Sequence, residues 1–144
     1  MVDRLICRVV ESEQERHRCF EIRKKIFLEE QKIFEESDVD DYDSMAIHIV
    51  AIQEGEIVGT VRVYHEGNGT WYGGRLAVLQ AYRGKETGSH LIQKAVELVK
   101  EQKGKRFYAY IQDKNVPYFE RCGWRSVSEV QKHGIPHQLM EMPV

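Results

Sequence analysis

The sequence predicts an α/β domain with a mixed, mostly antiparallel sheet of six or seven strands flanked by helices. Two observations support this fold class. Short β-branched and aromatic runs joined by tight turns occupy residues 47–65 and 71–78, which predicts an antiparallel meander. Residues 71–112 then contain a strand, an amphipathic helix and a second strand, and a crossover of this length implies that the two strands are parallel neighbours.

Composition is that of one ordinary globular domain. With 144 residues, 42% hydrophobic and 31% charged, the chain can bury one core and is too short for two, so we predict a single domain over residues 1–144. The net charge is −2 and basic residues are scattered among acids, which argues against nucleic acid as a partner. Three cysteines without a C-x-x-C spacing suggest neither a disulfide framework nor a zinc site. No apolar run reaches the ~18 residues of a membrane helix, so we expect no membrane partner and a cytoplasmic protein.

The chain begins with a strand and a helix. Leu5–Val10 is a compact β-branched run, and Ser12 followed by Glu15 predicts a capped helix start. Helical spacing assigns the inward face of this helix to Cys19, Phe20, Arg23, Ile26 and Phe27. Glu29 and Glu30 follow near its end, where carboxylates oppose the helix dipole.

The remaining elements follow from alternation and turn residues. The predicted strands are Ile47–Gln53, Glu56–His65, Trp71–Val78, Arg106–Gln112, Trp124–Glu129 and His137–Glu141. Between the fourth and fifth of these strands, Asn115 is positioned to cap a short helix with Pro117 in its first turn, and the helix should end at Gly123. A Gly134-Ile135-Pro136 break separates the last two strands.

A loop at residues 83–89 connects the strand Trp71–Val78 to the helix His90–Gln102. The first N–H groups of a helix lack intrahelical partners and the helix dipole adds partial positive charge, so such a loop can hold an anion, most naturally a phosphate. Loops of this kind also serve as simple connections, so the loop alone does not decide between the two roles.

Three blocks resemble the GNAT superfamily of acetyl-CoA-dependent N-acetyltransferases. The loop Arg83–Gly88 (RGKETG) is similar to its pyrophosphate loop, Arg75–Val78 to its central strand, and Tyr118–Trp124 to its second cofactor motif. They occur in the superfamily's order. Phe27–Phe34 and His133–Met140 resemble one small-molecule branch, so the resemblance covers nearly the whole chain.

The resemblance implies the GNAT fold and direct transfer of an acetyl group from acetyl-CoA, with no metal, to a primary amine of a small molecule. Backbone groups of Leu76, Ala77 and Val78 would bind the pantetheine amides and the thioester oxygen. Asn115 and Phe119 would line the pantetheine arm. The diphosphate would be held by N–H groups of the loop residues Arg83, Gly84, Lys85, Glu86, Thr87, Gly88 and Ser89.

Three positions depart from the superfamily pattern. Glu86 replaces a glycine, and a charge ~4 Å from a phosphate in water costs ~1 kcal/mol, so we predict weakened cofactor binding that Glu86→Gly would tighten. Phe119 replaces the usual tyrosine acid, which leaves the adjacent Tyr118 as the proposed proton donor. Tyr72 stands near the usual glutamate base, so we expect a water chain ordered by Tyr72, with Glu30 or a nearby acid accepting the proton.

Residues 29–43 contain eight carboxylates and one lysine. A calcium loop is excluded, because the sixth position counted from Asp38 is Asp43 rather than glycine. Two interpretations remain: a solvated acidic loop, or an electrostatic funnel that attracts a cationic amine. His133 and His137 flank the Gly-Ile-Pro break, where they form turn hydrogen bonds or a lip over the acceptor pocket.

Two further function classes stay open. A CoA-binding regulatory module that has lost catalysis would explain Glu86, Phe119 and the missing base together. Another user of thioesters or adenosylmethionine, such as an acyl-homoserine lactone synthase, shares a similar N-terminal half but is larger and lacks this loop. A homodimer is also open, because an apolar strand face serves equally as core or as interface.

Overall fold

Seven strands form one mixed sheet in the computed structural model, which describes residues 4–144. They are β1 (Ile6–Val9), β2 (Ile47–Gln53), β3 (Glu56–Gly67), β4 (Thr70–Val78), β5 (Arg106–Gln112), β6 (Arg125–Lys132) and β7 (Ile135–Met142). Their order across the sheet is β1-β2-β3-β4-β5-β7-β6. The β4–β5 pair is parallel and the other pairs are antiparallel, which confirms the predicted crossover and the predicted fold class.

Three α-helices flank the sheet. α1 (Glu13–Arg23) is capped by Ser12, whose hydroxyl accepts from the Glu15 N–H at 3.2 Å as predicted. It continues directly into a π-helical segment, Lys24–Glu30, where the predicted single helix becomes wider. The others are α2 (Thr87–Glu101) and α3 (Val116–Arg121). Among residues 4–144, none of these helices has the length and apolar character needed to cross a membrane.

α2 begins at Thr87, three residues before the predicted start, so Gly88 and Ser89 belong to its first turn. Its apolar face packs on the sheet through Leu91, Ile92, Ala95, Leu98 and Val99. Leu98 belongs to this buried face, whereas Val96 is only half-buried. The early start of α2 also shortens the loop, because its second glycine, Gly88, is held in regular helical geometry.

β4 and β5 pair along only part of their length. Their parallel register runs from Thr70 opposite Arg106 to Gly73 opposite Ala109, and beyond it the strands diverge. An extra β4 residue lies opposite β3 at this point, and Arg75 adopts a left-handed φ of 53°, which marks a β-bulge. The bulge and the divergence open a gap in the middle of the sheet.

The last two strands are longer than predicted and the break between them is shorter. β6 and β7 are joined by a tight turn at His133 and Gly134, and Pro136 lies within β7. Pro136 is tolerated there because β5 ends at Gln112, which pairs with His137, so a missing N–H at Pro136 costs no bond to β5.

Candidate active site

A cleft of about 850 Å³ lies between the end of β4, the loop before α2, and α3. We call it the cofactor cleft. Nine of the twelve residues predicted to bind cofactor line it: Leu76, Ala77, Val78, Arg83, Gly84, Lys85, Gly88, Asn115 and Phe119. Glu86, Thr87 and Ser89 belong to the same loop and helix start but do not line the cleft. Asn115 precedes α3 without capping it through its side chain, which corrects the predicted cap.

The backbone amides of residues 84–89 are available to a ligand. Arg83 N–H donates to Gln80 O at 3.2 Å and His90 N–H to Glu86 O at 2.9 Å, but no acceptor within residues 4–144 takes the six N–H groups between them. Gly84 has a φ of 75° and open space around its Cα, so the chain turns there without filling the cleft. This arrangement suits a phosphate and is not blocked by the protein's own atoms.

Arg83 connects the cofactor cleft to the π-helical segment. Its Nε donates to Val78 O at 2.9 Å, its Nη2 donates to Glu30 Oε2 at 2.8 Å, and its Nη1 donates to Glu30 Oε1. These hydrogen bonds lower the pKa of Glu30. Glu30 is therefore an ion-paired carboxylate at the cofactor cleft and a weakened base.

Tyr118 and Phe119 occupy different environments. The Tyr118 hydroxyl lies 3.3 Å from the position that a Cβ on Gly88 would take, at the start of α2. Burial raises the pKa of Tyr118 more than the nearby Ser89 side chain lowers it, so the phenol is protonated at neutral pH. Phe119 is buried and packs edge-on against Trp124, with ring centroids 5.7 Å apart.

Glu86 points into solvent rather than into the loop. Its side chain is 83% exposed, and its carboxylate lies 3.9 Å from His90 Nε2. Solvent around this carboxylate screens its repulsion of a bound phosphate. The departure from glycine is thus accommodated by the direction of the side chain.

A second cavity, of about 160 Å³, lies beside the cofactor cleft at the gap between β4 and β5. We call it the acceptor pocket. Its wall is mostly apolar, and its polar lining residues include Arg75, Tyr110, Gln112, His133 and His137. The two cavities share Ile33, Leu76, Gln112, Asn115 and Phe119, so they meet at the divergence of the strands.

Tyr72 lies outside both cavities. It lines a groove with Tyr42, Tyr64, Tyr110 and Glu66, and its ring stacks on Tyr64 at 5.8 Å and on Tyr110 at 5.9 Å. The expected water chain from Tyr72 to Glu30 is therefore not what the structure shows, because the two side chains line different cavities. Tyr110 is the ring that separates Tyr72 from the acceptor pocket.

Three acids of the segment 29–43 are neutralised by arginines from elsewhere in the fold. Arg23 is 1% exposed and pairs with Asp38 at 2.6 Å and Asp43 at 2.7 Å. Asp40 accepts hydrogen bonds from Arg62 at 2.6 and 2.8 Å and from Arg75 at 3.2 Å. The funnel interpretation is wrong for these three acids, and no carboxylate of the described residues lines the acceptor pocket.

The charge network stabilises the ionised form of Asp43. Burial by itself raises the pKa of this carboxyl. The hydrogen bonds from Arg23 and from the Asp40 N–H together lower the pKa by more than burial raises it, so the net pKa lies well below its usual range. His48 Nε2 lies 3.1 Å from the Asp43 carbonyl oxygen, and burial lowers the pKa of His48. His48 is thus a buried histidine of β2.

The sequence alone did not identify Arg62 and Arg75 as members of this network. A charged residue in the middle of a predicted strand is itself an anomaly, since arginine is seldom fully buried without a partner. That signal marks both positions, but it does not identify which acids they meet.

Within residues 4–144, no cluster of three or more histidine, cysteine or acidic side chains is arranged to hold a metal ion.

Comparison with known proteins agrees with the fold. Residues 13–124 match the Acetyltransferase (GNAT) family. A Bacillus subtilis (strain 168) protein that carries an acetyltransferase name, BSU40680, is 35% identical over 135 residues, covering 91% of each chain. The crystal structure of Escherichia coli ElaA has a TM-score of 0.84 at 21% identity and covers 98% of this chain and 99% of its own. An aminoglycoside 6'-N-acetyltransferase complexed with coenzyme A has a TM-score of 0.77 at 13% identity, with 96% of each chain covered. The chain is an enzyme of the GNAT family of N-acetyltransferases.

Proposed function

We propose that this protein transfers an acetyl group from acetyl-CoA directly to the primary amine of a small molecule. The observation that carries the proposal is the run of six N–H groups at residues 84–89 without acceptors in the described chain. Three of these residues, Gly84, Lys85 and Gly88, line the cleft that meets the acceptor pocket.

The start of α2 is the proposed diphosphate site. The N–H groups of Thr87, Gly88 and Ser89 lie in the first helical turn, where the helix dipole adds positive character, and those of Gly84, Lys85 and Glu86 precede them. Hydrogen bonds to a charged group contribute about 1.5–3 kcal/mol each, so a few such bonds suffice for micromolar affinity.

The end of β4 is the proposed site for the pantetheine arm and the thioester. Leu76, Ala77 and Val78 follow the bulge and line the cofactor cleft, while Leu76, Asn115 and Phe119 line both cavities. The thioester would therefore meet the amine at the gap between β4 and β5. Tyr118, protonated at neutral pH, remains the proposed proton donor to the leaving thiolate.

The size and lining of the acceptor pocket restrict the acceptor. A cavity of 160 Å³ is close to the ~150 Å³ of an engineered cavity that binds benzene, so the acceptor, or the part of it that carries the amine, is small. Its aromatic lining favours a partly apolar molecule. Use of acetyl-CoA agrees with the proposed cytoplasmic location. The homodimer stays a prediction, and light scattering would test it by measuring the molar mass in solution.

The proposal is tested by coenzyme A binding and by amine-dependent thiol release. Gly88→Val adds a branched side chain at the cofactor cleft, which keeps the backbone N–H but should hold the diphosphate away from it. The loss of one charge-assisted hydrogen bond is expected to weaken coenzyme A binding on the order of tenfold or more in calorimetry. Gln93→Val is the matched control, because it places the same valine side chain at an exposed position of α2 outside the cleft.

Three outcomes separate the function classes. Binding together with thiol release that depends on an added amine supports the acetyltransferase. Binding without turnover across an amine panel favours the regulatory module, for which Phe119 in place of the usual acid is the supporting observation. Equal affinities of the Gly88→Val and Gln93→Val variants would contradict the proposed diphosphate site.

A further inference from the structure

His137 lies on β7 at the wall between the acceptor pocket and the protein surface. It is 8% exposed and pairs in register with Gln112 of β5 and Val130 of β6, so its backbone is held from both sides. His137 lines the acceptor pocket and also a separate outer cavity of about 330 Å³, whose other lining residues include Asp113 and Glu129. The residue therefore lies between the pocket and a route to solvent.

A backbone hydrogen bond determines the tautomer of His137. Nδ1 lies 2.8 Å from the Ile135 carbonyl oxygen, which accepts hydrogen bonds but cannot donate them. The hydrogen must therefore be on Nδ1, and the neutral ring leaves a lone pair on Nε2. Among the described residues no hydrogen-bond donor occupies Nε2. The ring is thus oriented and has an unused basic nitrogen.

The other titratable groups of the acceptor pocket are poorer bases. Arg75 is a guanidinium and Tyr110 a phenol, so neither accepts a proton near neutral pH. His133 is exposed at the β6–β7 turn, and its ring packs on Phe34 at 4.4 Å without a hydrogen bond that fixes it. The fixed and buried imidazole is that of His137.

We propose that His137 Nε2 is the general base that removes a proton from the ammonium group of the acceptor, an inference that rests on the proposed function. The ammonium transfers one proton to Nε2 and becomes a free amine. The amine nitrogen then bonds to the thioester carbonyl carbon and the carbon–sulfur bond breaks. Tyr118 gives its phenolic proton to the thiolate, and the second proton from nitrogen returns to Tyr118. The imidazolium releases its proton to water through the outer cavity, which completes the balance of one amide, one thiol and one proton.

Several charged or titratable groups lie around His137. They are Arg75 and His133 in the acceptor pocket, Lys132 next to His133, and Asp113 and Glu129 at the outer cavity. The two acids lie on the side from which the proton leaves.

The test is the pH dependence of amine-dependent thiol release in His137→Asn. The asparagine amide N–H replaces Nδ1–H as donor to Ile135 and supplies no base at the Nε2 position, so the fold is kept while the base is removed. We expect the rate with an alkylamine to fall on the order of 10²–10⁴-fold and to lose the rise with pH across the range in which imidazoles deprotonate. An aromatic amine, which is already unprotonated at the assay pH, should be affected far less. His17→Asn is the matched control. His17 is an exposed histidine of α1 that lines neither cavity, so this variant should retain the wild-type profile.

The outcomes distinguish this inference from the proposed function. If the wild type releases thiol with amines and His137→Asn keeps its rate and pH profile, the inference is overturned and the acetyltransferase stands. If the wild type releases no thiol with any amine, both are overturned. Two further checks do not depend on turnover of the asparagine variant. One is a second variant, His137→Gln, and the other is a nitrogen-15 NMR spectrum of the wild-type imidazoles. The spectrum should show Nδ1 protonated and Nε2 bare in His137, and the opposite tautomer would refute the proposed base.

Discussion

Asp43 should be among the most sensitive positions of the chain to substitution. Its carboxylate accepts from Arg23 Nη1 at 2.7 Å and Nη2 at 3.0 Å, from the Asp40 N–H at 3.0 Å, and lies 2.9 Å from Arg62 Nη1. Asp43→Ala removes all of these contacts and leaves two arginines, 1% and 4% exposed, without this acceptor. The loss of one partner from a buried ion pair costs about 3–5 kcal/mol.

This cost is large relative to the stability of a domain. Unfolding entropy of ~2.1 cal/mol/K per residue gives roughly 300 cal/mol/K for 144 residues, so a loss of about 3–5 kcal/mol lowers the thermal midpoint by roughly 10–17 °C. Because Arg75 is held by the neighbouring Asp38 and Asp40, the wall of the acceptor pocket should loosen at the same time.

Thermal unfolding followed by circular dichroism measures the effect, with Asp41→Ala as the matched control. Asp41 lies two residues away on the same short turn and is exposed, so its removal should change the midpoint by less than about 2 °C. Similar midpoints for the Asp43→Ala and Asp41→Ala variants would refute the reasoning that the buried ion pairs hold this segment in place.

Three further predictions concern single charges. Glu86→Gly should tighten coenzyme A binding by less than about fivefold, since a screened charge at ~4 Å in water is worth ~1 kcal/mol, and weaker binding in calorimetry would contradict this. Glu30→Gln should leave turnover and its pH profile unchanged, because Arg83 already lowers the pKa of Glu30; a lost inflection would restore Glu30 as a base. The free energy of unfolding in urea should fall as the pH drops from about 5 towards 2, because the native pKa of Asp43 is lowered and the hydrogen bond from Arg8 lowers that of Glu15 to about 2. Both carboxyls bind protons more readily in the unfolded chain at those pH values, and a constant free energy would show that the pairs contribute nothing.

Most secondary structure and the family could be predicted from the sequence. Alternating β-branched residues, the Ser12 cap and the crossover around α2 are local patterns, and local patterns predict local structure. The loop at residues 83–89 belongs to the same class, because the availability of its N–H groups follows from its place before a helix. The exact start of α2 differed, since no side chain caps it and the helix extends back to Thr87.

Only the tertiary structure decided the rest of the site. The bulge at Arg75 ends the β4–β5 pairing and so creates the gap in which the two cavities meet. The pairing of Arg23, Arg62 and Arg75 with Asp38, Asp40 and Asp43 joins residues 15 to 37 positions apart, and it converts an apparently acidic funnel into a neutral buried network. Likewise His137 lines the acceptor pocket because β7 lies between β5 and β6. A sequence lists these charges and rings, but which of them meet depends on contacts between distant segments, and those exist only once the sheet has formed.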